Sequence, residues 1–214
     1  MANRWANRPE PRPGQGKLYW HILLKDYPEV QAIAAAGQEK LAGFRGLHFT
    51  PKQWLHITTL VVGFRDRFSK ARIEDMLGAA AKLLSDTPPI MISLGSVLYH
   101  PEAIVLRVQP DDALDPVYSA VEAATRIASS SDETTEHQSW SPHVTLAYST
   151  SVQAAGPIIN ALGRKLPSCE ITIDRISLVV QEGAERQWNW RPVGEVKLGN
   201  PPGRDCRRST PVVA

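Results

Sequence analysis

The stretch WLHITTLVV, residues 54–62, begins as an ordinary strand and places a histidine among its apolar residues. The stretch SPHVTLAYS, residues 141–149, repeats the unit of histidine, apolar residue and threonine. Both stretches are rich in branched and aromatic residues, which favour strands. We therefore predict two strands, each of which opens with the same polar pair.

These two polar pairs are the candidate catalytic groups. Because alternate residues of a strand point to the same face, His56 projects beside Thr58, and His143 beside Thr145. An imidazole has an ordinary pKa of about 6.5, so one ring can accept a proton while the other donates one. The hydroxyls can donate hydrogen bonds to the oxygens of a phosphate at the transition state. The pattern favours phosphodiester chemistry, and it contains no cluster that predicts a metal or cofactor.

The surrounding elements repeat in the same order. Residues 28–109 and residues 113–198 each predict a helix, a motif strand, a second helix and two further strands. This duplication predicts an α+β fold of two pseudo-symmetric, interleaved lobes, each an antiparallel sheet with helices on its outer face. The motif strands are expected to face each other across a central cleft.

Composition limits the remaining choices. Residues 17–199 form the predicted domain, residues 1–16 a flexible arm and residues 200–214 a flexible tail. The net charge of +2 predicts no broad basic surface of the kind that binds nucleic acid through many phosphates. The two cysteines build no disulfide framework, and no apolar run approaches the roughly 18 residues of a membrane span. We expect a cytoplasmic monomer.

Other residues carry weaker signals. The string HFT, residues 48–50, also matches the unit, but Pro51 follows it directly, so we interpret His48 as a loop residue. His21, in the first predicted strand, is interpreted as a histidine of the core or sheet edge. His100 and His137 are given no role.

Three residues near the motifs are candidates for substrate binding. Trp54 and Trp140 precede the two histidines closely and are suited to stacking on a base, although packing is the alternative interpretation. Arg45 flanks the first motif and is suited to steering a phosphate, unless it is simply a solvated surface residue.

At its motifs the chain resembles the 2H (two-histidine) phosphoesterase superfamily, whose members carry two H-apolar-[Ser/Thr]-apolar units in a bilobal fold. The string SPHVTLAYS is typical of the bacterial branch called the 2′-5′ RNA ligase family, or RNA 2′,3′-cyclic phosphodiesterases. The resemblance implies that His56 and His143 are the acid–base pair. It implies that Thr58 and Thr145 bind the phosphate.

One position departs from the pattern of that branch. RNA-processing members often carry an arginine three residues beyond the second threonine, where this chain has Tyr148. Tyr148 remains suited to donating a hydrogen bond or stacking on a base, but it supplies no charge.

The resulting hypothesis is a metal-independent phosphodiesterase that hydrolyses the 2′,3′-cyclic phosphate of a nucleotide or RNA end to a 2′-phosphate. Three alternatives stay open. The same site suits 2′-5′ RNA ligation or cleavage, or a small cyclic metabolite. A binding module that holds an RNA end without turnover is the third.

Overall fold

The computed structural model describes residues 1–6, 8, 12, 15–129 and 140–199. In this part of the chain, nine strands form one antiparallel sheet that is packed against four helices. The strands are β1 (Gly16–Leu23), β2 (Leu47–Phe49), β3 (His56–Phe64), β4 (Ile90–Tyr99), β5 (Ala103–Arg107), β6 (His143–Ser149), β7 (Lys165–Ile173), β8 (Arg175–Glu182) and β9 (Trp190–Lys197). The helices are α1 (Pro28–Leu41), α2 (Lys70–Leu83), α3 (Asp115–Ala128) and α4 (Gly156–Leu162).

The sheet is divided into two lobes at its centre. Its order is β7-β4-β5-β6-β3-β1-β8-β9, and β2 pairs with β6 away from this path. The two motif strands, β3 and β6, pair at Ile57 and Val144, and the C-terminal half of β6 then pairs with β2. The motif strands are thus paired neighbours at the base of the cleft, whereas we expected them to face each other across it. The predicted α+β fold, with antiparallel sheet and helices in two lobes, is confirmed.

Each lobe has its own helices. Helices α2 and α3 contact each other, and they cover the lobe of β1, β3, β8 and β9. Helices α1 and α4 contact each other, and α1 packs on β6 and β7. Each of the two repeats, 28–109 and 113–198, therefore places its first helix on the lobe that carries the motif strand of the other repeat. Helix α1 contacts β6, and α3 contacts β3.

Strand β1 shows why the sheet has two different faces. Leu18, Trp20 and Ile22 alternate along it and are fully buried in the main core beneath the helices. Tyr19 and His21 lie between them and therefore point to the cleft face. A second, smaller apolar cluster lies on that cleft face.

The helix ends follow local chemistry. The Ser69 side chain accepts a hydrogen bond from the backbone N–H of Arg72 and so caps α2. Pro157 lies in the first turn of α4, where its missing N–H costs no helix hydrogen bond. Strands β7 and β8 are separated by a turn at Asp174.

The interpretation of His48 as a loop residue is wrong. His48 lies in β2, opposite Tyr148 of β6. Pro51 is two residues beyond the end of this strand, so its missing N–H costs no ladder hydrogen bond.

Residues 1–6, part of the predicted flexible arm, lie against the folded part, where Met1 and Trp5 pack on the two apolar clusters. The predicted tail, 200–214, lies outside the described residues. So does the part of the α3–β6 loop that contains His137.

Candidate active site

The two His–Thr pairs share one cavity. An open cavity of about 1180 Å³ lies on the cleft face of the sheet, and His56, Thr58, His143 and Thr145 all line it. The pairing of Ile57 with Val144 explains this convergence, because both are fully buried toward the helices. Their sequence neighbours must then point to the opposite face, into the cleft.

Both histidines are held by the same backbone contact. The Nδ1 atom of His56 lies 2.8 Å from the carbonyl oxygen of Trp54, two residues earlier. The Nδ1 atom of His143 lies 2.8 Å from the carbonyl oxygen of Ser141, again two residues earlier. Since a carbonyl only accepts, each Nδ1 carries the proton and donates it. Nε2 is then the atom that each neutral ring offers to a ligand.

Burial makes both imidazoles neutral in the free protein. The His56 side chain is buried, and this lowers its pKa to about 4, although the bond to the Trp54 carbonyl opposes the shift. Burial also lowers the pKa of His143, and nearby His100 and Arg4 act in the same direction. At pH 7 the rings are therefore proton acceptors until an anion favours their charged form.

Aromatic side chains surround the first histidine. The Trp190 ring lies 4.6 Å from the His56 ring, centroid to centroid, in an edge-on arrangement. Trp188 stacks on Tyr148 at 5.9 Å, and its indole N–H donates to Nε2 of His48. Trp188 has a left-handed backbone with φ of 53°, which is uncommon for a bulky residue and typical of functional sites.

Tyr148 lies in the cavity wall, where the sequence suggested a substrate-binding role. It is buried, and burial raises the pKa of its phenol. Thr145, one of the two candidate phosphate-binding hydroxyls, lines the same cavity.

The other three predicted substrate-binding residues do not line the cavity. Trp54 packs behind Trp190, with ring centroids 4.9 Å apart. Trp140 stacks on Tyr118 of α3 and donates its N–H to the carbonyl of Thr58. Arg45 is exposed in the connection between α1 and β2.

Two further histidines line the cavity. His21 is buried in β1 opposite Thr58, and its ring centroid lies 4.4 Å from that of His56. His100, in the turn between β4 and β5, lies 6.0 Å from His143 by the same measure. Strand alternation places His21 on the cleft face with Tyr19, but only the sheet order brings β1 beside β3. No signal in the sequence brings His100 to the second motif.

The described residues carry neither a metal-binding cluster nor a membrane helix. Among them, no group of three or more His, Cys, Asp or Glu side chains is placed to hold a metal ion. Among the helices of this part of the chain, none is long and apolar enough to cross a membrane.

Comparison with solved structures supports this fold. The protein TT0787 of Thermus thermophilus superposes with a TM-score of 0.65 at 18% identity, covering 86% of this chain and 98% of that one. Escherichia coli LigT complexed with 3′-AMP gives 0.62 at 14% identity, covering 86% and 98%. The PDE domain of MHV ns2 gives 0.57 at 11% identity, covering 77% and 99%.

Sequence similarity identifies the family of the chain. No curated protein matches the chain. The sequence profile of the 2′-5′ RNA ligase superfamily matches residues 27–185, which include both motif strands and most of the folded part. The chain belongs to the 2′-5′ RNA ligase superfamily.

Proposed function

We propose that the protein is a phosphodiesterase that opens the 2′,3′-cyclic phosphate of a nucleotide or RNA end, with His56 and His143 as the acid–base pair. The matched Nδ1 contacts of the two rings carry this proposal. Two imidazoles with the same tautomer, in one cavity and beside two hydroxyls, suit a reaction in which one proton is taken and another is given.

The proposed reaction is a displacement at phosphorus that is coupled to two proton transfers. A water oxygen forms a bond to phosphorus while the bond from phosphorus to the ribose O3′ breaks. One imidazole takes the proton of the water and the other gives a proton to O3′, leaving a 2′-phosphate. The two rings have then exchanged their protonation states, and exchange with solvent restores them. Each transfer contributes roughly 10²–10⁴-fold to the rate.

Binding of the substrate lets one ring take up from solvent the proton that it later donates. Both rings are neutral in the free protein at pH 7, because burial lowers the pKa of each. A phosphodiester anion within hydrogen-bond reach favours the imidazolium and raises such a pKa by about 1–3 units. Thr58 and Thr145 line the same cavity and supply donors for the phosphate oxygens.

The comparisons support a nucleotide as the substrate class. Solved structures of E. coli LigT contain 3′-AMP, ATP, NADP⁺ or phosphate. A cavity of about 1180 Å³ accommodates a nucleotide. The family description also makes a 2′-5′-linked oligonucleotide a second candidate for the same site.

The test is a substrate panel with product identification. Wild-type protein in excess EDTA is given 2′,3′-cyclic nucleotides, 2′-5′-linked dinucleotides and small cyclic phosphodiesters. We expect turnover of the cyclic nucleotide to the 2′-phosphate. Turnover of the 2′-5′-linked dinucleotide alone would favour the second candidate. Tight binding without any product would indicate a binding module and refute the proposal.

A further inference from the structure

The N-terminal segment, defined as the described residues 1–6, 8, 12 and 15–17, contributes to the cavity wall. The backbone N–H of Ala2 donates to the carbonyl of Pro101 at 2.6 Å, and that of Arg4 donates to Ser149 at 2.8 Å. The backbone N–H of Gln153 donates to the carbonyl of Met1 at 3.1 Å. These bonds attach the segment to the β4–β5 turn and to the end of β6, beside the second motif.

This segment carries the positive charge of the cavity. Among the described residues of the cavity wall, every lysine and arginine belongs to it, namely Arg4, Arg8, Arg12 and Lys17. The rest of that wall contributes two carboxylates, Glu102 and Glu185. A phosphodiester is an anion, so its only fixed cationic partners in this part of the structure come from the segment.

Arg4 is the most firmly positioned of the four. Its Nη1 lies 3.0 Å from Glu102, and its Nη2 lies 2.9 Å from Glu185. Its Nε lies 3.4 Å from the second oxygen of Glu185. The guanidinium carbon lies 5.0 Å from the ring centroid of Tyr148, the aromatic residue that closes the second motif.

This geometry leaves donors for a ligand. A guanidinium has five N–H donors, and the two carboxylates take three of them, one on each nitrogen. The remaining two belong to Nη1 and Nη2 and can donate to phosphate oxygens. Because the side chain is already fixed, little conformational entropy is lost when an anion binds.

Arg4 also acts on the candidate catalytic group. It is one of the charges that lower the pKa of His143, after burial and His100. Its cation therefore lies close enough to the second histidine to influence an anion bound there.

We propose that Arg4 contacts the phosphate of the substrate and that the N-terminal segment is the cationic wall of the active site. This inference rests on the proposed function insofar as the ligand is a phosphate ester. It assigns a substrate-binding role to a residue outside both motifs and outside the matched family region, 27–185.

The experiment compares full-length variants by two measurements. Binding of inorganic phosphate is measured by calorimetry, and kcat and KM are measured on a 2′,3′-cyclic nucleotide. For Arg4→Gln we expect phosphate binding and kcat/KM to fall at least tenfold, mainly through KM. Arg4→Lys should retain part of both, because it keeps the charge and loses the paired donors.

The matched control is Arg175→Gln. Arg175 also lies between two carboxylates, Asp174 and Glu195, but does not line the cavity. We expect wild-type values for both measurements. Melting temperatures of all variants establish that they are folded.

A triple variant distinguishes direct contact with phosphate from repulsion by the two carboxylates. Arg4→Gln leaves Glu102 and Glu185 without this partner, and their charge alone would repel an anion. The triple variant Arg4→Gln/Glu102→Gln/Glu185→Gln removes that repulsion. It should remain impaired if the guanidinium contacts phosphate. Recovery in the triple variant, or an Arg4→Gln protein within twofold of wild type, would overturn the inference.

The outcome is separable from that of the proposed function. If wild type turns over the cyclic nucleotide and Arg4→Gln does so equally well, the inference fails and the function stands. If wild type is inert, the function fails, and phosphate binding by the variants still decides the role of Arg4.

Discussion

His21 lies against His56, with ring centroids 4.4 Å apart on the neighbouring strands β1 and β3. The two side chains are 2% and 8% exposed. Burial and the neighbouring His56 ring hold the pKa of His21 well below its usual range. The cavity is thus built around buried imidazoles that stay neutral, and this has a consequence for stability.

The first prediction concerns stability against pH. A histidine whose pKa is lowered in the folded protein binds fewer protons there than in the unfolded chain. The protein therefore has its full stability above the unfolded pKa near 6.5. This stability is lost as the pH falls toward the folded pKa, which is about 4 for His56. We expect His56 alone to lower the free energy of unfolding by about 3 kcal/mol at pH 4. Urea unfolding at pH 7 and at pH 4 measures this change.

His21→Phe should make this loss smaller, because one of the contributing groups no longer titrates. Its ring is similar in size and needs no proton in the unfolded chain. A wild-type protein whose free energy of unfolding does not change between pH 7 and pH 5 would contradict the burial of these rings.

The second prediction concerns anion binding. Inorganic phosphate should raise the pKa of His56 and of His143, since a nearby negative charge favours the imidazolium. The Cε1–H signals of both rings, followed by NMR over pH, should move their midpoints upward by about 1 unit or more. Chloride at equal ionic strength is the control and should leave the midpoints unchanged. Equal midpoints in the two anions would place phosphate outside the cavity.

The direction of the motif side chains could be predicted from the sequence for a simple physical reason. The strand period of two fixes which neighbours share a face, so Thr58 follows His56 into the cleft regardless of tertiary detail. The repeated element order predicted two interleaved lobes, because each copy has the same polar pair at the start of its central strand.

The remainder of the site depends on contacts between distant parts of the chain. Arg4, Glu102 and Glu185 meet through ion pairs that no local period encodes. His100 reaches His143 from the turn between β4 and β5, a contact between parts of the chain more than forty residues apart. His48 was misassigned because a strand of three residues is too short to leave a periodic signal.

The third prediction separates the two faces of β3. Thr58→Val and Thr145→Val each remove a hydroxyl from the cavity and should lower kcat roughly 10²-fold, the usual effect of deleting one donor to the developing charge. Thr59→Val is the matched control. Thr59 is buried on the helix side, and its hydroxyl has no hydrogen-bond partner in the described structure.

We expect Thr59→Val to retain full activity and to be at least as stable as wild type, because it removes an unpaired buried polar group. Steady-state kinetics and urea unfolding measure both effects. A loss of kcat in Thr59→Val equal to that in Thr58→Val would show that the face assignment is wrong.

The central claim is that His56 and His143 act as one acid–base pair. The most direct measurement is kcat/KM on a 2′,3′-cyclic nucleotide in excess EDTA for wild type, His56→Asn, His143→Asn and the double variant. We expect wild type to be active, each single variant to lose roughly 10³-fold or more, and the double variant to be no worse than the poorer single one. Loss of wild-type activity in EDTA, a single variant that keeps a tenth of the rate, or losses that multiply in the double variant would contradict the claim.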